Sequence, residues 1–372
     1  MKSQIAIVSN TSWYLFNFRR GLIIRLVNNG YNVLALAPRD EFSIKLEDIG
    51  CQFIDFKMEN QGLNPIADFR LKHKLESIYN DMKPLLVMHY TIKPVIFGSL
   101  AASNLGIPFI NNITGLGTAF IRTNWITLLV QYLYKISQKN ASSIFFQNSD
   151  DMQLFEERKL IPKSVERKLI PGTGIDLTEF SPRPYSNATE DVFLLIARLI
   201  WDKGIGEFVE AAREIKKDFP SARFQILGFL DVKNRTVISR EQVDGWVQEG
   251  IIEFYEETVD VRPYIEKAGC IVLPSYREGL PKTLLEAASM ARPIIATDVT
   301  GCREVVINGK NGFLCEVRDV KSLVNKITQF LSLSKQEKET MGFEGRVIVK
   351  DRFDQEKVVD SILKDINRFI SS

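Results

Sequence analysis

At 372 residues the chain exceeds what a single hydrophobic core usually supports, so two domains of ordinary size are expected. Its 45% apolar and 25% charged residues are those of a soluble globular protein, and a net charge of +2 with no strongly basic stripe argues against a nucleic-acid partner. No apolar run is long enough to cross a bilayer and Ile5–Val8 is too short for a signal peptide, so a cytoplasmic location is expected. Two histidines, His73 and His89, argue against a His-rich metal site. The scattered Cys51, Cys270, Cys302 and Cys315 suggest reduced thiols rather than disulfides.

Short β-branched runs alternate with amphipathic segments from the start. Ile5–Val8 reads as a strand, followed by a helix over Phe16–Asn28 that stops near Asn29-Gly30. Further strands are predicted at Asn32–Ala37, Cys51–Phe56, Leu85–His89, Pro108–Asn111 and Ser143–Phe146. Segments such as Asp68–Asn80 are long enough for crossover helices. The loops Ser9-Asn-Thr-Ser12 and Gly115-Leu-Gly117 are either turn chemistry or phosphate- or sugar-facing. Arg19 and Arg20 either reach a phosphate or decorate a helix, and His89 ends a strand in either a structural or a catalytic role.

The charge is unevenly spread, with 20 Lys and Arg against 16 Asp and Glu up to residue 180. No carboxylate occurs between Asp81 and Asp150, a stretch that keeps Lys83, Lys93, Arg122, Lys135 and Lys139. It includes Trp125-Ile-Thr-Leu-Leu-Val-Gln-Tyr-Leu-Tyr, which suits contact with anionic lipid and suits a core helix equally well.

Pro171-Gly-Thr-Gly-Ile-Asp176, running on to Pro182, breaks the alternation and reads as a domain boundary, with Pro182–Glu190 as a polar linker. A second series of strands follows at Asp191–Ala197, Ala222–Leu227, Ile251–Tyr255, Gly269–Pro274, Pro293–Thr297 and Gly312–Cys315. Helices over Val320–Leu331, Lys335–Val349 and Gln355–Ile370 close the chain. The class is therefore α/β, with two parallel sheets covered on both faces and ligands expected at the strand C-terminal edges, in a cleft between domains.

Arg198 and Lys203 follow the first strand of the second series, where a planar guanidinium and a compact ammonium could converge on a diphosphate. Glu278 lies in the loop Tyr276-Arg-Glu-Gly-Leu-Pro281, where Gly279 lets a ligand approach the backbone. Glu286 lies on the helix that this loop opens. Taken singly, each charge is an ordinary surface residue. Together they suit a ligand bearing both phosphates and hydroxyls.

These residues resemble the retaining glycosyltransferases of family 4, which have the two-Rossmann GT-B fold. The resemblance spans nearly the whole chain and is carried by Arg198, Lys203-Gly204, the Pro274–Pro281 loop and the Glu278–Glu286 pair. Thr91-Ile-Lys-Pro94 with Gly98, and Ile113-Thr-Gly-Leu-Gly117, resemble bacterial members that add an amino sugar to polyprenyl-diphosphate-linked acceptors for O-antigen, capsule or protein glycosylation. The resemblance implies that residues 1–180 face acceptor and membrane, that 181–352 bind a UDP-sugar, and that 353–372 form a C-terminal helix able to pack back on the first domain.

It further implies that Arg198 and Lys203 hold the donor diphosphate, that Glu286 takes the ribose hydroxyls, and that Glu278 takes the transferred sugar with the Gly279 and Leu280 amides. Arg19, His89, Lys93, Thr114 and Gly115 become acceptor-side candidates, with Thr114 standing where many members carry a histidine. No metal or other cofactor is expected, and the chain has no Asp-x-Asp. Peripheral contact with the inner face of the membrane is expected around Trp125–Lys139. An epimerase or hydrolase of the same fold, and a non-catalytic lipid- or nucleotide-binding scaffold, are the competing readings.

Overall fold

The structure is a computed structural model that describes residues 3–59, 64–115, 125–185, 191–230 and 236–371. It divides into two compact units, Met1–Thr173 with Gln355–Ser372, and Gly174–Asp354.

The first unit runs β1 (Gln4–Val8), α1 (Ser12–Asn28), β2 (Asn32–Ala37), α2 (Phe42–Asp48), β3 (Gln52–Asp55), α3 (Pro65–Met82) and β4 (Leu86–Tyr90). A π-turn at Pro94–Gly98 then feeds α4 (Ser99–Asn104), followed by β5 (Phe109–Ile113), α5 (Trp125–Ser137), β6 (Ser143–Phe146), α6 (Ser149–Glu157) and β7 (Glu166–Leu169). All seven strands are parallel, in the order β3-β2-β1-β4-β5-β6-β7.

Helix α1 starts four residues earlier than its apolar period suggests, because the Thr11 hydroxyl accepts from the Tyr14 N–H and caps it. The Ser9–Ser12 run thus supplies a helix cap as well as a loop. Strand β7 is an addition to the expected set. Its sequence Glu-Arg-Lys-Leu lacks an apolar pattern because it is the edge of the sheet, where Glu166 and Leu169 are exposed and Lys168 pairs with Asp365.

The second unit runs β8 (Val192–Ile196), α7 (Ile205–Asp218), β9 (Arg223–Gly228), α8 (Arg240–Gln248), β10 (Glu253–Glu256), α9 (Arg262–Glu266) and β11 (Cys270–Leu273). It continues with α10 (Lys282–Ser289), β12 (Ile294–Thr297), α11 (Cys302–Val305), β13 (Gly312–Cys315), α12 (Val320–Leu331) and α13 (Lys335–Arg352). Its six parallel strands are ordered β10-β9-β8-β11-β12-β13. The two Rossmann-like sheets make this a GT-B fold. The four cysteines are buried free thiols, and burial pushes that of Cys51 up to about 12.

The last helix, α14 (Gln355–Ser371), belongs to the first unit. Its Val358, Val359, Ile362 and Ile366 enter the same core as Leu22, Ile23 and Leu26 of α1, and Arg25 pairs with Glu356 and Asp360 at the rim.

Residues 182–185, the described start of the expected polar linker, are held to the body of the second unit. The fully buried Arg292 donates to the carbonyls of Arg183, Pro184, Ile265, Glu266 and Met290 at 2.9–3.3 Å, and Arg346 donates to those of Leu177, Phe180 and Ser289. Two guanidinium groups thereby clamp residues 177–184 onto the second unit. Their donors satisfy carbonyls that would otherwise be buried without partners. Replacing Arg292 by Leu is expected to lower the stability of this unit by about 3 kcal/mol, since several carbonyls lose their only strong donor. Urea unfolding of the two proteins measures it, and a change below about 1 kcal/mol would contradict the clamp.

Candidate active site

In the second unit the chain winds outward in opposite directions from β8 and β11, so these adjacent strands form a topological switch point. Helix α7 packs on one face of the sheet and α10 on the other, which parts the two loops at the strand C-termini. Arg198 stands just beyond β8, exposed, with no side-chain hydrogen bond or ion pair among the described residues. Lys203 ends a single 3-10 turn, Trp201–Lys203, and its ammonium pairs with the Glu278 carboxylate, both groups being largely shielded from solvent.

The backbone holds that pair in place. The Asp202 carbonyl accepts from the Tyr276 N–H at 2.9 Å and from the Ser275 hydroxyl at 3.2 Å, tying the β8 loop to the β11 loop. Gly204 takes φ 70° directly against the Pro274 carbonyl, where a Cβ would collide with it. The Tyr276 hydroxyl donates to Glu207 at 2.7 Å, while Arg318 lies 4.4 Å from the centre of the Tyr276 ring; burial pushes the phenol up to about 12. Gly279 and Leu280, both half-buried, lead into α10, whose N-terminus carries no side-chain cap and so presents its positive end.

Glu286, on α10, is a buried carboxylate with the Lys282 ammonium at 3.5 Å. Burial raises its pKa, Lys282 opposes the rise, and the nearby acidic groups Glu179 and Asp260 add to it.

The first sheet has its own switch point, between β1 and β4. A cavity of about 260 Å³ lies at the C-terminal ends of β1, β4 and β5, lined by Asn10, Met58, Thr91, Ile92, Lys93, Val95, Asn112, Ile113, Thr114, Gly115 and Tyr134. Lys93 there pairs with the buried Asp68 of α3 at 2.7 Å. Thr91 has φ 67°, a conformation a β-branched residue rarely takes.

Three of the five acceptor-side candidates, Lys93, Thr114 and Gly115, therefore share one cavity. The other two do not line it. Arg19, on the buried face of α1, is hydrogen-bonded to the Tyr14 hydroxyl at 2.8 Å, with its guanidinium 4.1 Å from the Tyr90 ring centre. His89 is wholly buried, its ring nitrogens 3.1 Å from the Tyr79 hydroxyl and 2.9 Å from Asn111 Oδ1, and burial lowers its pKa to about 3. This corrects the expectation that it faces a ligand: at the end of β4 its side chain turns into the core. Gly117 and Arg122 lie outside the described residues, as does the side chain of Trp125.

Asn112 and Tyr134 line the cavity without any sequence motif marking them as ligand-facing, because separate elements deliver them. Asn10 belongs to the Ser9–Ser12 loop, which the sequence left as turn chemistry or phosphate- or sugar-facing.

Residues 4–148 match the family described as "Glycosyl transferase 4-like", and residues 190–333 match "Glycosyl transferases group 1". Between them the two matches span most of the chain, and the protein is a glycosyltransferase. The first match contains the cavity of the first unit, and the second contains Arg198, Lys203, Glu278 and Glu286. This glycosyltransferase is 27% identical over 345 residues to the N,N'-diacetylbacillosaminyl-diphospho-undecaprenol alpha-1,3-N-acetylgalactosaminyltransferase of Campylobacter jejuni, covering 88% of this chain and 89% of that one. It is 23% identical over 321 residues to the UDP-Gal:alpha-D-GlcNAc-diphosphoundecaprenol alpha-1,3-galactosyltransferase of Escherichia coli, covering 79% and 81%. Its fold matches the sucrose-phosphate synthase of Thermosynechococcus elongatus with a TM-score of 0.82 at 19% identity, over 100% of each chain.

Because the Glu286 pKa is raised in the folded glycosyltransferase, ionising this group opposes folding. Stability from this site is complete below the ordinary carboxylate value of 4.5 and falls as pH rises from there to the higher native value. Glu286→Gln, neutral throughout, is expected to remove that fall. Urea unfolding as a function of pH checks this, and a variant that keeps the wild-type pH slope would rule it out.

Proposed function

We propose that this glycosyltransferase moves an N-acetylhexosamine from a UDP-sugar to a polyprenyl-diphosphate-linked saccharide, with retention of configuration and without a divalent metal, at an anionic membrane surface. The observation that carries the reading is the grouping of Arg198, Lys203, Glu278 and the uncapped end of α10 around one strand switch point. The C. jejuni and E. coli relatives, both named for undecaprenol-diphosphate acceptors, support the acceptor class; the former's name supports an acetylated hexosamine and the latter's a UDP donor.

Breaking the bond between the sugar C1 and the phosphate oxygen leaves negative charge on the nucleoside diphosphate. Arg198, Lys203 and the α10 dipole supply the positive potential that stabilises it. An acceptor oxygen bonds to C1 on the same face, and its proton passes to the leaving phosphate, so the chain need not provide a base. Glu278 holds hydroxyls of the transferred sugar with the Gly279 and Leu280 amides, and Glu286 holds the ribose. The acceptor enters the cavity of the first unit, where Lys93 supplies charge and Asn10, Thr91, Asn112 and Thr114 supply hydroxyl partners.

The membrane contact is supported by α5, where Ile126, Leu128, Leu129 and Tyr132 are exposed and Lys135 and Lys139 follow. Among the described residues no helix is long and apolar enough to cross a membrane.

The deciding assay is nucleotide release from a panel of UDP- and GDP-sugars in EDTA, with and without polyprenyl-diphosphate-linked saccharides. UDP release only with acceptor supports the proposal. Release without acceptor would indicate a hydrolase or epimerase, and release only after adding Mg²⁺ would overturn metal independence. Glu278→Ala is expected to lower transfer by at least about 100-fold while the protein stays folded. Wild-type transfer by that variant would remove Glu278 from the site. Leu128→Ser combined with Tyr132→Ser is expected to weaken sedimentation with phosphatidylglycerol vesicles; unchanged sedimentation would place the lipid contact elsewhere.

A further inference from the structure

Behind the cavity of the first unit lies a chain of buried polar groups. Asn111, in the middle of β5, donates from Nδ2 to Gln138 Oε1 at 2.6 Å, which fixes the orientation of its amide. Its Oδ1 then accepts from the Ser99 hydroxyl at 2.9 Å and from His89 Nδ1 at 2.9 Å. His89 therefore carries its proton on Nδ1, and Nε2 accepts from the Tyr79 hydroxyl at 3.1 Å. On the far side, Gln138 Nε2 donates to Ser137 Oγ, which donates to the carbonyl of Tyr134. Every member is buried.

This chain joins the elements that supply most of the cavity's lining, those of Asn10 and Met58 excepted. Tyr79 is on α3 with Asp68, the partner of Lys93; Ser99 begins α4 at the end of the π-turn; Ser137 and Tyr134 are on α5. The π-turn itself rests on the histidine, since a Cβ on Gly98 would lie 2.5 Å from His89 Cδ2 and Nε2. The Ser99 hydroxyl also lies within reach of the Val95 carbonyl, so its one proton is shared between that carbonyl and Asn111 Oδ1. The left-handed Thr91 that precedes it is a backbone conformation that persists only when its surroundings impose it. Wide π-turns are likewise concentrated at functional sites.

We propose that His89 is a positioning residue for acceptor binding: its two hydrogen bonds and its contact with Gly98 set the π-turn that carries Thr91, Ile92 and Lys93 into the cavity. The proposal rests on the reading that this cavity takes the acceptor. An apolar side chain could fill the volume, but it would leave Asn111 Oδ1 and the Tyr79 hydroxyl short of partners and the turn without its stop.

The test compares Gly98→Ala, Tyr79→Phe and Lys93→Met with wild type, measuring kcat and both KM values. Undecaprenyl-diphospho-N-acetylglucosamine is the acceptor probe, used with the donor found by the nucleotide-release panel. Gly98→Ala pushes the ring and turn apart, and Tyr79→Phe removes the donor to Nε2 at nearly constant volume. Both are expected to raise the acceptor KM about ten-fold with the donor KM little changed, whatever fall in melting temperature the buried substitutions cause. If Gly98→Ala fails to fold, Tyr79→Phe decides alone. Wild-type acceptor KM in these variants while Lys93→Met raises it would overturn the positioning role and leave the cavity as the acceptor site. Acceptor and donor KM rising together with a lower melting temperature would also overturn it, as a loss of stability only. Wild-type acceptor KM in all three, Lys93→Met included, would remove the acceptor from this cavity.

Discussion

Parallel strands cannot be joined by tight turns, and that constraint organises everything else in this protein. Each crossover needs a helix, each helix must cover one face of its sheet, and where the winding reverses the neighbouring loops part. Both sheets reverse beside their first strand, at β1 and β4 in one unit and at β8 and β11 in the other. All of the charged residues assigned to the donor, apart from the helix-borne Glu286, stand on the loops so parted, and the cavity of the first unit opens at the corresponding place.

The donor-side loops are held by backbone more than by side chains. The Asp202 carbonyl takes two donors from the β11 loop, the Thr297 hydroxyl bonds the Ser275 carbonyl, and Gly204 and Gly301 allow main chains to approach where any Cβ would collide. This frame keeps Lys203 and Glu278 in contact, so the ammonium that would meet a diphosphate and the carboxylate that would meet a sugar neutralise one another at rest. Arg198, exposed and unpaired among the described residues, keeps its charge uncompensated. In the first unit, by contrast, the frame is a hydrogen-bonded set of buried side chains. Such a network is costly unless every member is satisfied, and here its members have partners.

The interior strands could be placed from the sequence because, buried on both faces, they are continuous apolar runs, and the edge strands β3 and β10 because they keep adjacent apolar residues, Phe53-Ile54 and Phe254-Tyr255. The edge strand β7, Glu-Arg-Lys-Leu, could not, since it offers a single apolar residue. The pair Glu278–Glu286 and the pair Arg198–Lys203 were legible because each is local, lying within nine residues on a loop whose backbone chemistry is written in the glycines and prolines beside it. Arg292 and Arg346 were not legible at all. An arginine that clamps carbonyls more than a hundred residues away looks, in sequence, like any surface charge.

His89 shows the division most clearly. The sequence by itself determined that a histidine ends a strand close to a loop fit for a ligand, because strand period and loop composition are properties of neighbouring residues. It could not decide which way the ring points. Tyr79, Gly98 and Asn111 decide that, and they reach it from a helix, a turn and the adjacent strand. The alternation of apolar runs, the class of fold and the charged loop motifs are set locally and survive in one dimension. Which polar groups are spent on each other in the core, and which remain to meet a ligand, depends on packing between distant segments, and only the tertiary structure contains that information.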